Sequence, residues 1–98
     1  MELRGEVLQI HARVHGRVQR VAFREYTRRE ALRLGLEGWV RNSSDGTVEV
    51  WAEGSTEQVD QLLAWLWIGS PFSQVAQVEY TEADALRMGG SFEIRSAT

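Results

Sequence analysis

Apolar and polar residues alternate from Val7 to Val14. Leu8, Ile10, Ala12 and Val14 share one face, and Gln9, His11 and Arg13 share the other. A period of two over this length predicts a half-buried strand. A polar, glycine-containing stretch follows, His15-Gly16-Arg17-Val18-Gln19-Arg20. The period then changes. Phe23, Thr27, Ala31 and Leu34 recur at spacings of four, four and three, which predicts a helix over Ala22–Leu34. Gly35 is placed to end it in the left-handed conformation. Leu36–Asn42 and Thr47–Glu53 read as two strands, joined by a hairpin turn at Ser43-Ser44-Asp45-Gly46 in which Asp-Gly supplies the positive φ angles. Ser55 or Thr56 caps a second helix, with Glu57 or Gln58 behind it. That helix runs to about Ile68 with Val59, Leu62, Leu63 and Leu66 as its buried stripe, and Gly69-Ser70-Pro71 ends it. Ser73–Thr81 is a further strand, Glu82–Gly90 a polar loop, and Ser91–Arg95 a short last strand with Phe92 and Ile94 inward.

The order is β-α-β-β-α-β with a small terminal addition. This predicts an α+β, ferredoxin-like sandwich: an antiparallel sheet with two helices on one face and the other face open to water. Trp39 and Trp51 alternate onto the open face, where packing against arginine stems competes with an apolar patch for self-association. The 98 residues make one domain, 1–98. This architecture hosts many functions, so the chemistry must be argued from side chains.

Composition narrows that chemistry. There is no cysteine, which excludes disulfides and thiolate metal sites. His11 and His15 lie four apart where a strand runs into a loop, roughly 13 Å from each other at strand spacing, too far to share one metal ion. No metal or other cofactor is expected. All eleven basic residues are arginine, so lysine nucleophiles are excluded, whereas bidentate grips on phosphate or carboxylate are available. A formal net charge of −3 argues against a nucleic-acid partner. No apolar run approaches the ~20 residues of a membrane span. The N-terminus lacks a basic region followed by an apolar run, so a cytoplasmic protein is the expectation. A monomer is expected as well.

The loop from Gly16 to Val21 joins a strand to a helix start. Backbone N–H groups there have no intrahelical partners and carry the positive end of the helix dipole. A loop of this kind can curl into an anion-binding nest. Arg24 falls on the first helical turn, from which its guanidinium folds back over the same anion. Taken alone, it reads more readily as a solvated helix residue beside Arg28. Asn42 stands at a strand end before a turn, where asparagine also serves left-handed geometry or capping.

Two multi-residue motifs tip these readings. Gly16-x-Val18-Gln19-x-Val21-x-Phe23-Arg24 resembles the first acylphosphatase signature. Gly38-Trp39-Val40-Arg41-Asn42 with Asp45-Gly46-x-Val48-Glu49 resembles the second. Ala31-x-x-Leu34-Gly35-Leu36 between them is similar as well, and the likeness runs from about Leu8 to Ile94. The resemblance implies a metal-free hydrolase acting on a small-molecule acyl phosphate. It implies that the N–H groups of the loop formed by Gly16, Arg17, Val18, Gln19, Arg20 and Val21 bind the phosphate together with Arg24, and that Asn42 positions the attacking water. The chemistry is consistent with these residues. The leaving group is a carboxylate of pKa about 4 and needs no general acid. The transition state spreads charge over phosphoryl oxygens, where fixed donors act best. One departure stands out: Arg20 occupies a position where the family usually has glycine. If the loop requires positive φ there, an arginine costs about 1 kcal/mol or more. Two consequences are open, a second cation near the phosphate or a catalytically weak domain that binds phosphate or carbamoyl phosphate. His15 stands at the loop mouth, and its ring could tune phosphate binding with pH.

Overall fold

The computed structural model describes residues 7–84 and 90–98. Strand β1 spans Val7–Arg17, helix α1 Phe23–Leu34, β2 Glu37–Asn42, β3 Val48–Ser55, α2 Thr56–Ile68, β4 Gln74–Asp84 and β5 Phe92–Ile94. The strands form one sheet in the order β4-β1-β3-β2-β5. The first four pair antiparallel, as expected. The terminal strand β5 adds alongside β2 in parallel, so the sheet is mixed at that edge rather than antiparallel throughout.

The helices cover one face because the period-two and period-3.6 patterns each supply one apolar side. Ile10, Ala12 and Val14 of β1, Val48, Val50 and Ala52 of β3, and Val40 of β2 are buried. They meet Phe23, Ala31 and Leu34 of α1 and Val59, Leu62 and Leu66 of α2. Thr27 is the one polar residue in the α1 stripe, and its hydroxyl donates to the Phe23 carbonyl at 2.8 Å. Helix α2 starts with a full capping box: the Gln58 N–H donates to Ser55 Oγ, and the Ser55 N–H donates to Gln58 Oε1. Gly35 ends α1 at φ 79°.

Several boundaries differ from expectation for local reasons. Strand β1 continues past Val14 to Arg17 because a bulge between His15 and Gly16 keeps it paired to β4. The Gly16 φ is 125°, and a Cβ there would lie 2.2 Å from the Gln74 carbonyl oxygen, so only glycine allows β4 this close. Strand β4 takes in Glu82–Asp84, predicted as loop, because those residues pair with Leu8–Ile10 despite their polarity. The rest of that predicted loop, residues 85–89, lies outside the described residues. In the hairpin only Gly46 has positive φ. Asp45 instead accepts from the Thr47 N–H and hydroxyl, closing the turn with its side chain. Phe92 is buried as expected, but Ile94 is 40% exposed at the sheet edge.

On the open face, register aligns His11, Trp51 and Trp39 across three strands. The Trp51 ring stacks on His11 at 4.4 Å, and Trp39 lies under the guanidinium groups of Arg41 and Arg95. The tryptophans thus pack against cations and an imidazole. Glu49, buried beneath them, accepts from Arg41 Nε at 2.8 Å and lies 2.6 Å from the His11 ring. Burial pushes the Glu49 carboxyl up, but these two partners outweigh it and hold the group below its ordinary pKa.

Candidate active site

Val14 of β1 and Asn42 of β2 both face Val48 of β3. The two strands therefore reach the same level two strand spacings apart, on the order of 10 Å. The chain that leaves β1 must curl to enter α1 next to the end of β2.

That curl uses backbone conformations that L residues rarely adopt. Arg20 has φ 64° and Ala22 has φ 58°. Each costs about 1 kcal/mol or more, strain of the kind that concentrates at functional sites. Ala22 immediately precedes α1, which has no side-chain cap. Among the described residues, none of the N–H groups from Gln19 to Glu25 donates to a backbone carbonyl. Left-handed turns before a helix gather such donors into a concavity for an anion.

Three contacts fix the curl. Gln19 Nε2 donates to the Ser43 carbonyl at 2.8 Å and to the Thr47 carbonyl at 2.9 Å, tying the loop to the β2–β3 turn. The hydroxyl of Ser70, a buried residue past the end of α2, donates to the Val21 carbonyl at 2.9 Å. The side chain of Val18 is itself part of the core.

A cleft of about 160 Å³ opens at this junction, lined by Val18, Arg20, Ala22, Phe23, Arg24, Glu25, Asn42 and Ile94. It is not the largest depression. One of about 600 Å³ lies at the start of α2, but Glu57 and Asp60 line it and would repel an anion. The charges around the smaller cleft point the other way. Arg13, Arg28, Arg29, Arg33, Arg41 and Arg95 each lie within 4.0 Å of a carboxylate. Arg17, Arg20 and Arg24 have no such partner among the described residues. The acid that lines the cleft, Glu25, is paired with Arg29 at 3.1 Å and Arg28 at 3.7 Å.

Asn42 completes the site. Its Oδ1 is buried with no hydrogen-bond partner, the one such side-chain atom among the described residues. The residue has no positive φ and its side-chain oxygen caps nothing. Both structural explanations for an asparagine at this strand end therefore fail. A buried acceptor left unpaired costs about 1–3 kcal/mol.

The acylphosphatase family profile matches residues 10–94. An acylphosphatase of Thiobacillus denitrificans is 47% identical over 87 residues, covering 89% of this chain and 96% of the relative. An acylphosphatase of Pseudomonas paraeruginosa is 54% identical over 86 residues, covering 88% and 93%. This chain belongs to the acylphosphatase family. The crystal structure of acylphosphatase from Bacillus subtilis superimposes with a TM-score of 0.87 at 40% identity, covering 90% of this chain and 98% of that one. The ferredoxin-like α+β fold and the assignment as an acylphosphatase enzyme are thereby shared with proteins of nearly the same length.

The acylphosphatase loop divides the sequence-predicted residues into two groups. Val18, Arg20, Arg24 and Asn42 line one cleft. Gly16, Arg17, Gln19 and Val21 do not line it. Gly16 serves the β1–β4 bulge, Gln19 the tether to the turn, and Val21 the link to Ser70. His15 sits on the strand rather than at the loop mouth, with Nε2 2.7 Å from Glu79. Ala22, Ser70 and Ile94 escaped sequence reasoning. Nothing in an alanine marks a left-handed residue, and Ser70 reads only as part of a helix stop.

Proposed function

We propose that this acylphosphatase hydrolyses acyl phosphates with the phosphoryl group held by the amides of the 16–21 loop and helix start and by Arg24, and with the attacking water held by Asn42. The observation that carries this reading is the convergence on one small cleft of an unpaired arginine and an unpartnered, buried amide oxygen, beside a segment, Gln19 to Glu25, whose N–H groups donate to no backbone carbonyl among the described residues. Asn42 Oδ1 accepts a hydrogen bond from water and aims the water oxygen at phosphorus, opposite the acyl oxygen. A bond forms between that oxygen and phosphorus while the bond from phosphorus to the acyl oxygen breaks. The carboxylate leaves with the electron pair, and a phosphoryl oxygen takes the water's proton. Arg24 and the amides stabilise the charge on the equatorial oxygens without reorganising. No step requires a metal or a general acid.

Hydrolysis of benzoyl phosphate in EDTA by wild type and by Arg20→Gly tests the reading. Turnover in wild type supports it. A wild type without turnover that gains activity as Arg20→Gly favours the second reading, a weak phosphate- or carbamoyl-phosphate-binding domain, to which the strained Arg20 gives its only support. We further propose a monomer acting in the cytoplasm. No helix among the described residues is long and apolar enough to cross a membrane. Trp67, Ile68 and Phe72 are exposed around the end of α2. Sedimentation at high concentration tests the oligomeric state, and a dimer would overturn the monomer.

A further inference from the structure

We infer that Arg20 selects acyl phosphates whose acyl group carries a second anionic group, a carboxylate or phosphate. The inference rests on the site assignment above. Arg20 is held at φ 64°, is exposed, lines the cleft with Arg24, and has no acidic partner among the described residues. A left-handed arginine is strained, and glycine would hold the same backbone without that cost. Arg20 is therefore retained against a local penalty, while its charge is used by no contact among the described residues.

The phosphoryl group has its own donors in the loop amides and Arg24. With phosphorus gripped inside a small cleft, the acyl group must project toward solvent past the rim. Arg20, Ala22 and the 40%-exposed Ile94 are the exposed residues that line the cleft. Ile94 offers apolar contact to carbons next to the carbonyl. Arg20 offers a planar, always-charged fork suited to a carboxylate or phosphate further out. Glu25, the acid that would oppose this at the cleft, is engaged by Arg28 and Arg29. The chain carries a formal net charge of −3, so the unpaired group of Arg17, Arg20 and Arg24 is a local reversal of sign that favours a substrate with more than one negative group.

The experiment compares kcat/KM for benzoyl phosphate and para-carboxybenzoyl phosphate, which share one skeleton and leaving-group type. Wild type, Arg20→Gln and Arg20→Gly are assayed at low and high ionic strength. Arg20→Gln removes the charge but keeps a side chain in the left-handed position, and Arg20→Gly removes both charge and strain. The ratio of the carboxylated to the plain substrate falls about fivefold in both variants, the size expected of an exposed charge pair. In wild type the same ratio falls as salt rises. A ratio unchanged by both substitutions, or indifferent to salt in wild type, overturns the inference while leaving the hydrolase reading intact. A wild type that turns over neither substrate overturns both.

Discussion

Replacing Gln19 by alanine removes the tether between the phosphate loop and the turn that follows Asn42. Gln19 Nε2 donates to two carbonyls, Ser43 at 2.8 Å and Thr47 at 2.9 Å, and the side chain is half-buried. Each bond is worth about 1 kcal/mol net, so the variant loses about 2 kcal/mol. At about 4–8 °C per kcal/mol for a domain of this size, the melting temperature drops by about 10 °C. In urea the midpoint falls by about 1–2 M without a change in slope. The functional effect is separable from the stability effect. On the proposed mechanism, Gln19 fixes the distance between the loop proposed to grip phosphorus and the strand end proposed to hold water, and loss of such alignment costs on the order of a hundredfold in rate. At a temperature where the variant is fully folded, kcat falls ten- to a hundredfold (about 1.4–2.7 kcal/mol) while the inhibition constant of inorganic phosphate changes far less, because the loop amides remain. Stability within about 0.5 kcal/mol of wild type, or a phosphate inhibition constant that worsens as much as kcat falls, would refute the reasoning.

Gly16→Ala places a Cβ 2.2 Å from the Gln74 carbonyl oxygen at φ 125°, so it destabilises by about 3 kcal/mol or more, read as a lost or much-lowered thermal transition. Ser55→Ala removes the cap that accepts from Gln58 N–H and costs about 1 kcal/mol in urea denaturation, with activity per folded molecule unchanged. The hydrogen bonds from Thr47, side chain first and then backbone, lower Asp45 from 3.8 to about 2. A group depressed in the folded state adds stability above its unfolded pKa and loses it as pH falls through the folded one. The melting temperatures of wild type and Asp45→Asn therefore differ near neutral pH and converge as pH drops from 3.8 toward 2; a gap that persists at the acid end contradicts this.

The architecture was legible because burial follows a strict period in each element. Leu8-Ile10-Ala12-Val14 and Phe23-Thr27-Ala31-Leu34 face the core as their spacing requires, apart from half-buried Leu8. What local pattern could not show was pairing that overrides polarity, as at Glu82–Asp84, and the parallel docking of β5. The candidate site was legible where residue type is the signal, at Arg24, Asn42 and Arg20, which line one cleft. It was opaque where a residue acts through its backbone. Ala22 opens α1 in the left-handed region, so the helix begins one residue later than its periodicity suggests. Gln19 belonged to a binding motif by sequence, yet its amide is occupied by the carbonyls of the neighbouring turn.

The central claim is that Arg24 grips the phosphoryl group and Asn42 orients the water, with no metal. The most direct test is benzoyl phosphate hydrolysis in EDTA by wild type, Arg24→Ala and Asn42→Ala, with folding of each verified by circular dichroism. The account predicts robust turnover in wild type, and a loss of kcat/KM on the order of 10²–10³-fold in each variant. Inhibition by inorganic phosphate weakens in Arg24→Ala and is retained in Asn42→Ala. Full activity in folded Arg24→Ala or Asn42→Ala, or a wild-type rate abolished by EDTA, would contradict it.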